Sequence, residues 1–364
     1  MYFEAPKKIV LHWQIHQPLP LRESNFFTWG KSAKIFEEAQ AEQHLKTWWK
    51  NDGQWFFQQI KLLKESGAFH IALNVSGITL EQWQQWCPEA ISALKLAVEA
   101  QAVTLTTGPY YFGLTYLLSA EELRAQVIKH QQLIKSLFHV SANTYCGPAQ
   151  LFQEEMLPTL RELGIQQILT AGLSYPNNQF HECGLENLHL LASNAGISHQ
   201  VNYQSSTLLE QTGTAGFIDF MAQEEGEGIH LFLDGQAFND TQKCRSIFHL
   251  IEAINTDERF VWDDLFSVKT IQCSFTDSLP NIWGDMHILP KLLQPNNMQH
   301  ACMDLVYMKA PSSQQQLYLQ AIDRFLALAE TEPKRHRYFA NLNNLMSEHL
   351  LNEDHHSAST YNEA

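Results

Sequence analysis

Short apolar runs alternate with longer amphipathic stretches along the first two thirds of the chain. Seven runs of four to seven residues are predicted to be β-strands: Lys8–Gln14, His70–Ser76, Val103–Thr107, Asn143–Cys146, Gln167–Thr170, Ile229–Leu233 and Arg259–Trp262. Four stretches with helical periodicity are predicted to be helices: Trp48–Ser66, Leu80–Ala100, Ser119–Phe138 and Leu151–Leu163. Strands separated by helices of this length are typical of parallel βαβ units. The pattern therefore predicts an α/β fold, an incomplete parallel (β/α)7 barrel.

The rest of the chain follows a different pattern. Between Pro176 and Gly226 the periodicity is weak and Asn, Gly and Ser are frequent, which we interpret as long insertions in the barrel. After Pro290 helical periodicity returns over Gln314–Leu328 and Arg335–Leu351, and the polar end of the chain predicts disorder. The predicted organisation is a barrel domain over residues 1–290, a small C-terminal helical appendage over 291–351 and a disordered tail over 352–364.

Composition narrows the class of partner. The 364 residues are 45% hydrophobic and 17% charged, as in a globular chain, and the formal charge is −15. Nucleic acids and anionic membranes need clustered Lys and Arg, so neither is a predicted partner. A neutral ligand such as a sugar chain is compatible with this charge. The nine tryptophans and eleven tyrosines supply flat faces of the kind on which sugar rings stack.

Cysteine spacing and the N-terminus bear on the compartment. The six cysteines lie far apart without a CxxC pair, which argues against a structural zinc site and a disulfide scaffold. The N-terminal segment enters a predicted strand without an apolar run and small-residue cleavage site before it. No apolar run approaches the roughly 18 residues of a transmembrane helix. The sequence therefore predicts a cytoplasmic protein with reduced cysteines.

Four predicted strands run directly into segments that carry candidate chemistry. These segments are His16–Pro18, Gly108–Gly113, Gly147–Gln150 and Asp234–Asp240. In closed parallel barrels the chemistry lies on the loops after the carboxyl ends of the strands. We therefore expect the four segments to meet around one mouth of the barrel.

The first two segments resemble regions of glycoside hydrolase family 57, the α-glucan enzymes. In that family the first strand runs into His-Gln-Pro with an Arg nearby, and a later Gly-rich turn leads into a Pro-Tyr-Tyr sequence. The matching residues here are His16, Gln17, Pro18, Arg22, Gly108, Pro109, Tyr110 and Tyr111. The resemblance implies that the substrate is contacted by His16, Gln17, Arg22, Tyr110 and Tyr111. Phe112 stands about where the family has an acidic residue.

The third segment bears on whether the chain can catalyse a reaction. The stretch Glu155–Gly164 is similar to the helix that follows the nucleophile strand of the family, and this register places Ala149 at the catalytic Glu. Gln150 stands where the family often has Arg. Alanine has no nucleophilic atom and no ionisable group. Glu154 and Glu155 lie about 7 Å or more further along the helix, so we interpret them as solvated acids of its first turn.

The fourth segment resembles the acid/base region of the family, in which a hydrophobic strand ends in Asp. Asp234 and Phe238 match that pattern, whereas Gln236 and Asn239 replace an acidic residue and a glycine. The resemblance implies that Asp234 is the acid/base and that Phe238 contacts substrate. Trp283 is a further candidate substrate contact after the barrel. An alternative, a metal held by His12 and His16, is not predicted, because residues four apart in a strand and turn need not share a face.

The predicted function follows from the incomplete catalytic pair. Retaining glycoside hydrolysis needs two carboxyl groups about 5–5.5 Å apart. With Ala149 at the nucleophile position, the prediction is an α-amylase-like homologue that acts on or binds α-1,4-glucan or maltooligosaccharides, with weak activity or none and no cofactor. The alternative is an active α-glucan hydrolase or 4-α-glucanotransferase in which Asp234 works with a relocated carboxylate such as Asp240 or Asp285. A metal-dependent deacetylase or mannosidase is disfavoured, because no His/Asp ligand set appears at the first strand, and no protein partner can be identified.

Overall fold

The computed structural model describes most of the chain as far as Asp263. The described residues are 5–20, 22–23, 36–112, 120–150, 152, 154–172, 181–183, 188–194, 196–202, 213–224, 226, 228–263 and 271–273. The predicted helical appendage and tail, together with Trp283 and Asp285, lie outside the described residues. Within these residues no helix is long and apolar enough to cross a membrane.

Strands and helices alternate along the described chain. The strands are β1 (Lys7–Ile15), β2 (Ile71–Val75), β3 (Val103–Leu105), β4 (Thr144–Cys146), β5 (Gln167–Gly172), β6 (His181–Cys183), β7 (His189–Asn194), β8 (Gly228–Leu233), β9 (Phe260–Trp262) and β10 (Ile271–Cys273). The α-helices are α1 (Glu38–Trp48), α2 (Gln54–Ser66), α3 (Gly77–Trp86), α4 (Pro88–Glu99), α5 (Ala120–Phe138), α6 (Leu157–Glu162), α7 (residues 196–202), α8 (Gly213–Gln223), α9 (Gly235–Asn239) and α10 (Thr241–Thr256). A π-helical turn (Trp49–Gly53) joins α1 to α2.

The strands form two curled sheets that together make an incomplete barrel. One sheet has the order β3-β2-β1-β8 with β9 also paired to β1, and the other has the order β10-β6-β7-β5-β4. All of these pairs are parallel except β6 with β7. A parallel bridge between Thr107 and Tyr145 connects the two sheets, and β7 lies against β8. The predicted parallel α/β barrel architecture is therefore confirmed, with the order β1-β2-β3-β4-β5-β7-β8.

Side chains of the barrel strands alternate between an outer and an inner face. On β1, the outer side chains pack in the main hydrophobic core with those of the surrounding helices: Ile9, Leu11, Trp13 and Ile15. Burial of each such side chain contributes about 1.5–3 kcal/mol to stability. Val10, from the other face of β1, belongs to a small buried cluster with one residue from each of β2, β4, β5 and β7: Ala72, Cys146, Leu169 and Leu191. His12 and Gln14 share this inner face, so polar side chains enter the interior of the barrel.

The stretch from Pro176 to Gly226 contains part of the barrel itself. Our interpretation of this stretch as insertions is wrong for β7, which pairs with β5 along six residues and forms the sixth strand of the barrel. The stretch also contains β6, α7 and α8. The predicted strand Arg259–Trp262 is present as β9, but it pairs only with the amino-terminal end of β1.

Pro88 divides the long helix predicted over Leu80–Ala100. It occupies the first turn of α4, where its missing N–H group has no cost, and Cys87 before it adopts φ −150° and ψ 63°. A residue that precedes proline is forced out of the helical region, so α3 ends at Trp86. The helix predicted over Leu151–Leu163 is similarly shorter, with a 3-10 turn at Glu154–Met156 before α6.

Candidate functional site

The carboxyl ends of β1, β3, β4 and β8 adjoin one another at one end of the barrel. Gln14 Nε2 donates to the carbonyl of Gly147 at 2.7 Å, which ties the end of β1 to the loop after β4. A Cβ atom on Gly108 would stand 2.3 Å from the carbonyl oxygen of Cys146, so only glycine permits the loop after β3 to approach β4 this closely. A Cβ on Gly235 would lie 3.7 Å from the backbone nitrogen of His16. We call this region the mouth; it comprises residues Gln14–Pro18, Gly108–Phe112, Gly147–Gln150 and Asp234–Phe238.

The end of β1 is held by hydrogen bonds to the first turn of α3. His16 Nδ1 lies 2.9 Å from the hydroxyl of Ser76, the N-cap residue of α3. The Ser76 hydroxyl is 2.8 Å from that of Thr79, and the Thr79 oxygen accepts a hydrogen bond from the backbone N–H of Gln17 at 2.7 Å. Gln82 Nε2 donates to the Gln17 carbonyl at 2.6 Å. His16 and Gln17 are therefore fixed before any ligand arrives, whereas Arg22 lies half-buried further along the same loop.

The loop Gly108–Phe112 after β3 is held by a polar stripe on α5 whose members are buried or half-buried. The stripe consists of Gln126, Lys129 and His130, which share one face of the helix because their spacing is i, i+3 and i+4. His130 Nδ1 accepts from the Gly108 N–H at 3.1 Å, and its Nε2 lies 2.9 Å from the Val75 carbonyl. This single imidazole therefore joins the ends of β2 and β3.

Two further contacts of the same stripe hold Tyr111. Its backbone N–H donates to Gln126 Oε1 at 3.3 Å, and its hydroxyl accepts from Lys129 Nζ at 2.9 Å. The Lys129 ammonium also lies 3.9 Å from the centre of the Tyr110 ring. Burial lowers the pKa of Lys129, and the Glu81 carboxylate partly offsets that effect.

The two tyrosine rings of this loop face the protein. Tyr110 and Tyr111 are only 1% and 6% exposed, and the Tyr110 ring lies so close to Gly77 that a Cβ there would approach it to 2.3 Å. Burial is the main reason why the pKa of Tyr110 is raised, and a hydrogen bond with Glu81 raises it further. The substrate contact implied for Tyr110 and Tyr111 stays a prediction; in the structure both rings anchor the loop.

Phe112 is the half-buried aromatic residue of the loop. Its ring stacks on the His16 imidazole with 4.6 Å between centroids and 15° between planes. Its backbone has φ +59°, the left-handed region, which costs a non-glycine residue roughly 1–2 kcal/mol. The acidic residue expected here in the family is thus replaced by an aromatic ring that covers one face of His16.

The loop after β4 closes in a 3-10 turn, Pro148–Gln150, with Ala149 at its centre. Gln150 also has φ +59° and is buried, with its Oε1 accepting from the Ser193 hydroxyl at 2.6 Å. Its backbone carbonyl accepts from the Thr170 hydroxyl at 3.3 Å. Gln150 Nε2 has no hydrogen-bond partner among the described residues.

Asp234 directly follows β8 and is half-buried. Its backbone N–H donates to Asn202 Oδ1 at 3.0 Å, and its carbonyl accepts from Trp13 Nε1 at 3.1 Å. Ser198, four residues before Asn202 on α7, accepts from the N–H of Phe232 at 3.0 Å. Helix α7 thus holds the end of β8 much as α5 holds the end of β3, and nothing in the sequence pattern identified α7.

Phe238 lies in the hydrophobic core behind the mouth. Its ring centroid is 5.0 Å from that of Trp48 and 5.2 Å from that of Phe56, and the residue is 6% exposed. Its implied contact with substrate stays a prediction. Asp240, a candidate relocated carboxylate, is the N-cap of α10, where it accepts from the N–H of Lys243 at 3.0 Å.

Two histidines lie in the barrel interior below the mouth: His12, considered above only as an alternative metal ligand, and His230, to which the sequence pattern gives no role. His12 on β1 and His230 on β8 are buried, with 6.2 Å between ring centroids. Burial lowers the pKa of His230 to about 4 and lowers that of His12 well below its usual value, with a smaller contribution from His230. His12 Nδ1 lies 4.0 Å from Cys146 Sγ, and burial raises the pKa of that thiol. The alternation of Val10, His12 and Gln14 on one face of β1 was the available signal.

Acidic side chains are scarce around the barrel. In the sequence, the seven barrel strands and the three residues that follow each of them contain one acidic residue, Asp234. No group of three or more His, Cys, Asp or Glu in the described part of the chain is arranged to hold a metal ion.

Comparison with protein families gives one match that covers most of the chain. The model of glycosyl hydrolase family 57 matches residues 10–258, a range that contains all four segments of the mouth. No curated protein sequence is significantly similar to the chain.

Several solved structures share the fold at low sequence identity. A GH57 branching enzyme from Thermococcus kodakaraensis superposes with a TM-score of 0.63 at 10% identity, over 93% of this chain and 88% of that one. An α-amylase from Thermotoga maritima gives 0.59 at 8% identity, over 94% and 93%. A 4-α-glucanotransferase from Thermococcus litoralis gives 0.57 at 13% identity over 92% of this chain, which spans about half (48%) of that enzyme's length. At these identities the likeness shows the fold alone.

Proposed function

Because the chain belongs to glycosyl hydrolase family 57, we propose that it binds α-1,4-glucan at the mouth of the barrel and cleaves it weakly or not at all. The choice of α-glucan as the ligand is supported by the resemblance of the mouth to the family and by the α-glucan enzymes that share the fold. The expectation of weak cleavage or none rests on the residues that this chain has at the catalytic positions.

The observation that carries the proposal is that the seven barrel strands and the three residues after each of them contain one carboxylate, that of Asp234. A retaining glycosidase needs one carboxylate to attack the anomeric carbon and another to protonate the leaving oxygen. Asp234 can supply the proton, but Ala149 offers nothing that can attack. Loss of a covalent nucleophile typically costs on the order of 10⁴–10⁶ in kcat.

An inverting reaction would also need a second carboxylate, at roughly 6.5–9.5 Å, to activate a water molecule. Asp240 caps α10 and is exposed, so its carboxylate already serves the first turn of that helix. Glu81 is hydrogen-bonded with Tyr110 and lies near Lys129, so it belongs to the anchoring of the loop after β3. Neither carboxylate supports a relocated catalytic pair.

The binding surface is assigned to His16 and Phe112. His16 is held by α3 with its ring already stacked, and Phe112 is the aromatic ring of the mouth that remains partly exposed. Neutral sugar hydroxyls and ring faces suit this surface, which has hydrogen-bonding groups and aromatic faces but little charge.

Titration calorimetry with maltoheptaose, followed by product analysis of the same mixture, tests the proposal. We expect saturable binding and no shorter maltooligosaccharides beyond those formed in buffer. Cellohexaose is the matched control, because it presents the same sugar with β-linkages. Equal binding of both chains, or of neither, would contradict the assignment of α-glucan.

A second experiment addresses the missing nucleophile. Incubation with a fluorinated, activated α-glucoside traps covalent glycosyl-enzymes, and intact-mass analysis detects them. We expect no adduct. A stoichiometric adduct that maps to a carboxylate would show that a nucleophile exists elsewhere in the mouth.

A further inference from the structure

The rim of the mouth carries a stacked pair of rings, His16 and Phe112. The pair brings together the ends of β1 and β3, which are separated in the barrel by β2. One face of the Phe112 ring lies on the imidazole. Phe112 makes no second ring contact with the described residues, and the residue is half-buried.

The imidazole half of the pair is rigid. Ser76 bonds to His16 Nδ1 from the N-cap of α3, and Thr79 in the first turn bonds to both Ser76 and the backbone of Gln17. The ring therefore cannot turn without breaking this chain of hydrogen bonds. A side chain locked in this way loses little further entropy on binding a ligand.

The Phe112 half is equally constrained, through its backbone. His130 and Gln126 bond to the N–H groups of Gly108 and Tyr111, and Lys129 holds the Tyr111 hydroxyl. The Phe112 N–H itself donates to the Pro109 carbonyl at 3.1 Å, which closes a tight turn. These bonds fix the backbone that carries the Phe112 ring, and the ring lies stacked on His16.

The backbone conformation of Phe112 is one that glycine, not phenylalanine, adopts freely. A bulky residue persists at φ +59° only when the surrounding structure imposes that conformation, and such residues concentrate at functional sites. The anchoring of the loop by α5 supplies the constraint. The ring is the group that this conformation presents at the mouth.

We propose that Phe112 is the specificity-determining residue of the mouth, an aromatic platform on which one glucose ring of an α-glucan stacks through its C–H face. The inference rests on the proposed function and adds the residue and contact that select the ligand. An acidic residue at this position would favour ligands that complement its charge and its hydrogen-bonding groups. Phe112 instead selects for a neutral ring with an apolar face.

The test compares maltoheptaose affinity among four forms of the full-length protein by calorimetry: wild type, Phe112→Leu, Phe112→Trp and Phe220→Leu. Phe112→Leu removes the flat face and should weaken binding about tenfold, which corresponds to about 1.4 kcal/mol. Phe112→Trp enlarges the face and should bind at least as tightly as wild type. Phe220, 41% exposed on α8, is the matched control for the same substitution away from the mouth.

The outcomes separate this inference from the proposed function. If wild type binds maltoheptaose and Phe112→Leu binds it equally well or better, the platform is wrong while glucan binding stands. Loss of affinity in Phe112→Trp as severe as in Phe112→Leu would also overturn the platform. If wild type binds no α-glucan, the proposed function fails and the platform fails with it. Should Phe112→Leu not fold, the result for Phe112→Trp decides alone.

Discussion

Both halves of the mouth are anchored by hydrogen bonds to neighbouring elements, but they carry different functional residues. The binding half, formed by the segments after β1 and β3, is anchored by α3 and by the α5 stripe, and it presents His16 and Phe112. The catalytic half, formed by the segments after β4 and β8, is anchored by Ser193 and α7, and its sequence contains Ala149 and Asp234. The proposed function, glucan binding with weak cleavage or none, predicts an anchored scaffold of this kind around one carboxylate. Substitutions in the binding half should therefore change maltoheptaose affinity far more than substitutions in the catalytic half.

Lowering the pH is predicted to have the largest effect, a loss of folding stability that involves both halves. His130 in the binding half and His230 below the catalytic half are neutral, with pKa values lowered by burial to about 4. The unfolded chain takes up these protons near pH 6.5, so it binds more protons than the folded chain between pH 6.5 and 4. Stability should therefore be full above pH 6.5 and fall as the pH drops toward 4, by on the order of 3 kcal/mol for each histidine.

Urea unfolding at pH 7.5, 6, 5 and 4.5 measures this dependence, and the slope of free energy against pH reports the protons taken up. His12, whose pKa is lowered in the same direction, adds to the slope. His249→Gln is the matched control, because it removes an imidazole whose side chain is 75% exposed instead of buried. A flat profile from pH 7 to 4.5 would mean that these histidines are not buried as described.

His130→Ala is predicted to have the next largest effect, and it acts on the binding half. It removes the partner of the buried Gly108 N–H and of the Val75 carbonyl, which should cost about 2–4 kcal/mol of unfolding free energy. The loop that carries Phe112 loses an anchor, so maltoheptaose affinity should fall as well. Chemical denaturation and calorimetry measure the two quantities. An unchanged affinity in a folded variant would contradict the role given to the stripe.

The fold was largely predictable because burial imposes periodicity on the sequence. Strands such as Lys8–Gln14 and Ile229–Leu233 can be recognised from their runs of apolar residues, and the predicted bounds lie within two residues of the observed ones. Strand β7 was missed because its sequence, HLLASN, places polar residues at both ends and lies between stretches rich in Asn and Gly. Tertiary pairing with β5, not local preference, makes it a strand.

The site was predictable only to the level of segments. The order of strands implies which loops meet, so the four segments could be brought together from the sequence. The direction of each side chain within an irregular loop has no period, and the burial of Tyr110 and Tyr111 against α5 could not be derived. The stacking of Phe112 on His16 depends on a left-handed backbone that no sequence rule assigns to phenylalanine.

A smaller effect isolates the strain at Phe112. Phe112→Gly and Phe112→Ala both remove the ring, so they lose the same stacking with His16. They differ in that glycine adopts φ +59° freely, whereas alanine does not. The glycine variant should therefore be the more stable of the two by about 1 kcal/mol, as measured by urea unfolding. The opposite order would argue that the backbone is unstrained.

Asp234→Asn, a substitution in the catalytic half, is predicted to have the smallest effect on maltoheptaose affinity. The substitution keeps the size of the side chain and leaves the backbone bonds to Asn202 and Trp13 intact. In a protein that only binds, maltoheptaose affinity should change by less than about threefold, under 1 kcal/mol. A large change would show that the carboxylate itself holds the ligand.

The central claim is that the mouth binds glucan without a catalytic pair, and the hydrolysis rate of an aryl α-maltooligoside tests it most directly. Four forms are compared after a check of folding: wild type, Asp234→Asn, Ala149→Glu and the double variant Ala149→Glu/Asp234→Asn. We expect wild type and Asp234→Asn to release aryl alcohol at the rate of buffer or only slightly faster. Ala149→Glu should release it measurably faster, and only while Asp234 is present. Wild-type turnover as fast as that of an intact glycosidase, abolished by Asp234→Asn, would contradict the account, because it would reveal a working pair that includes Asp234.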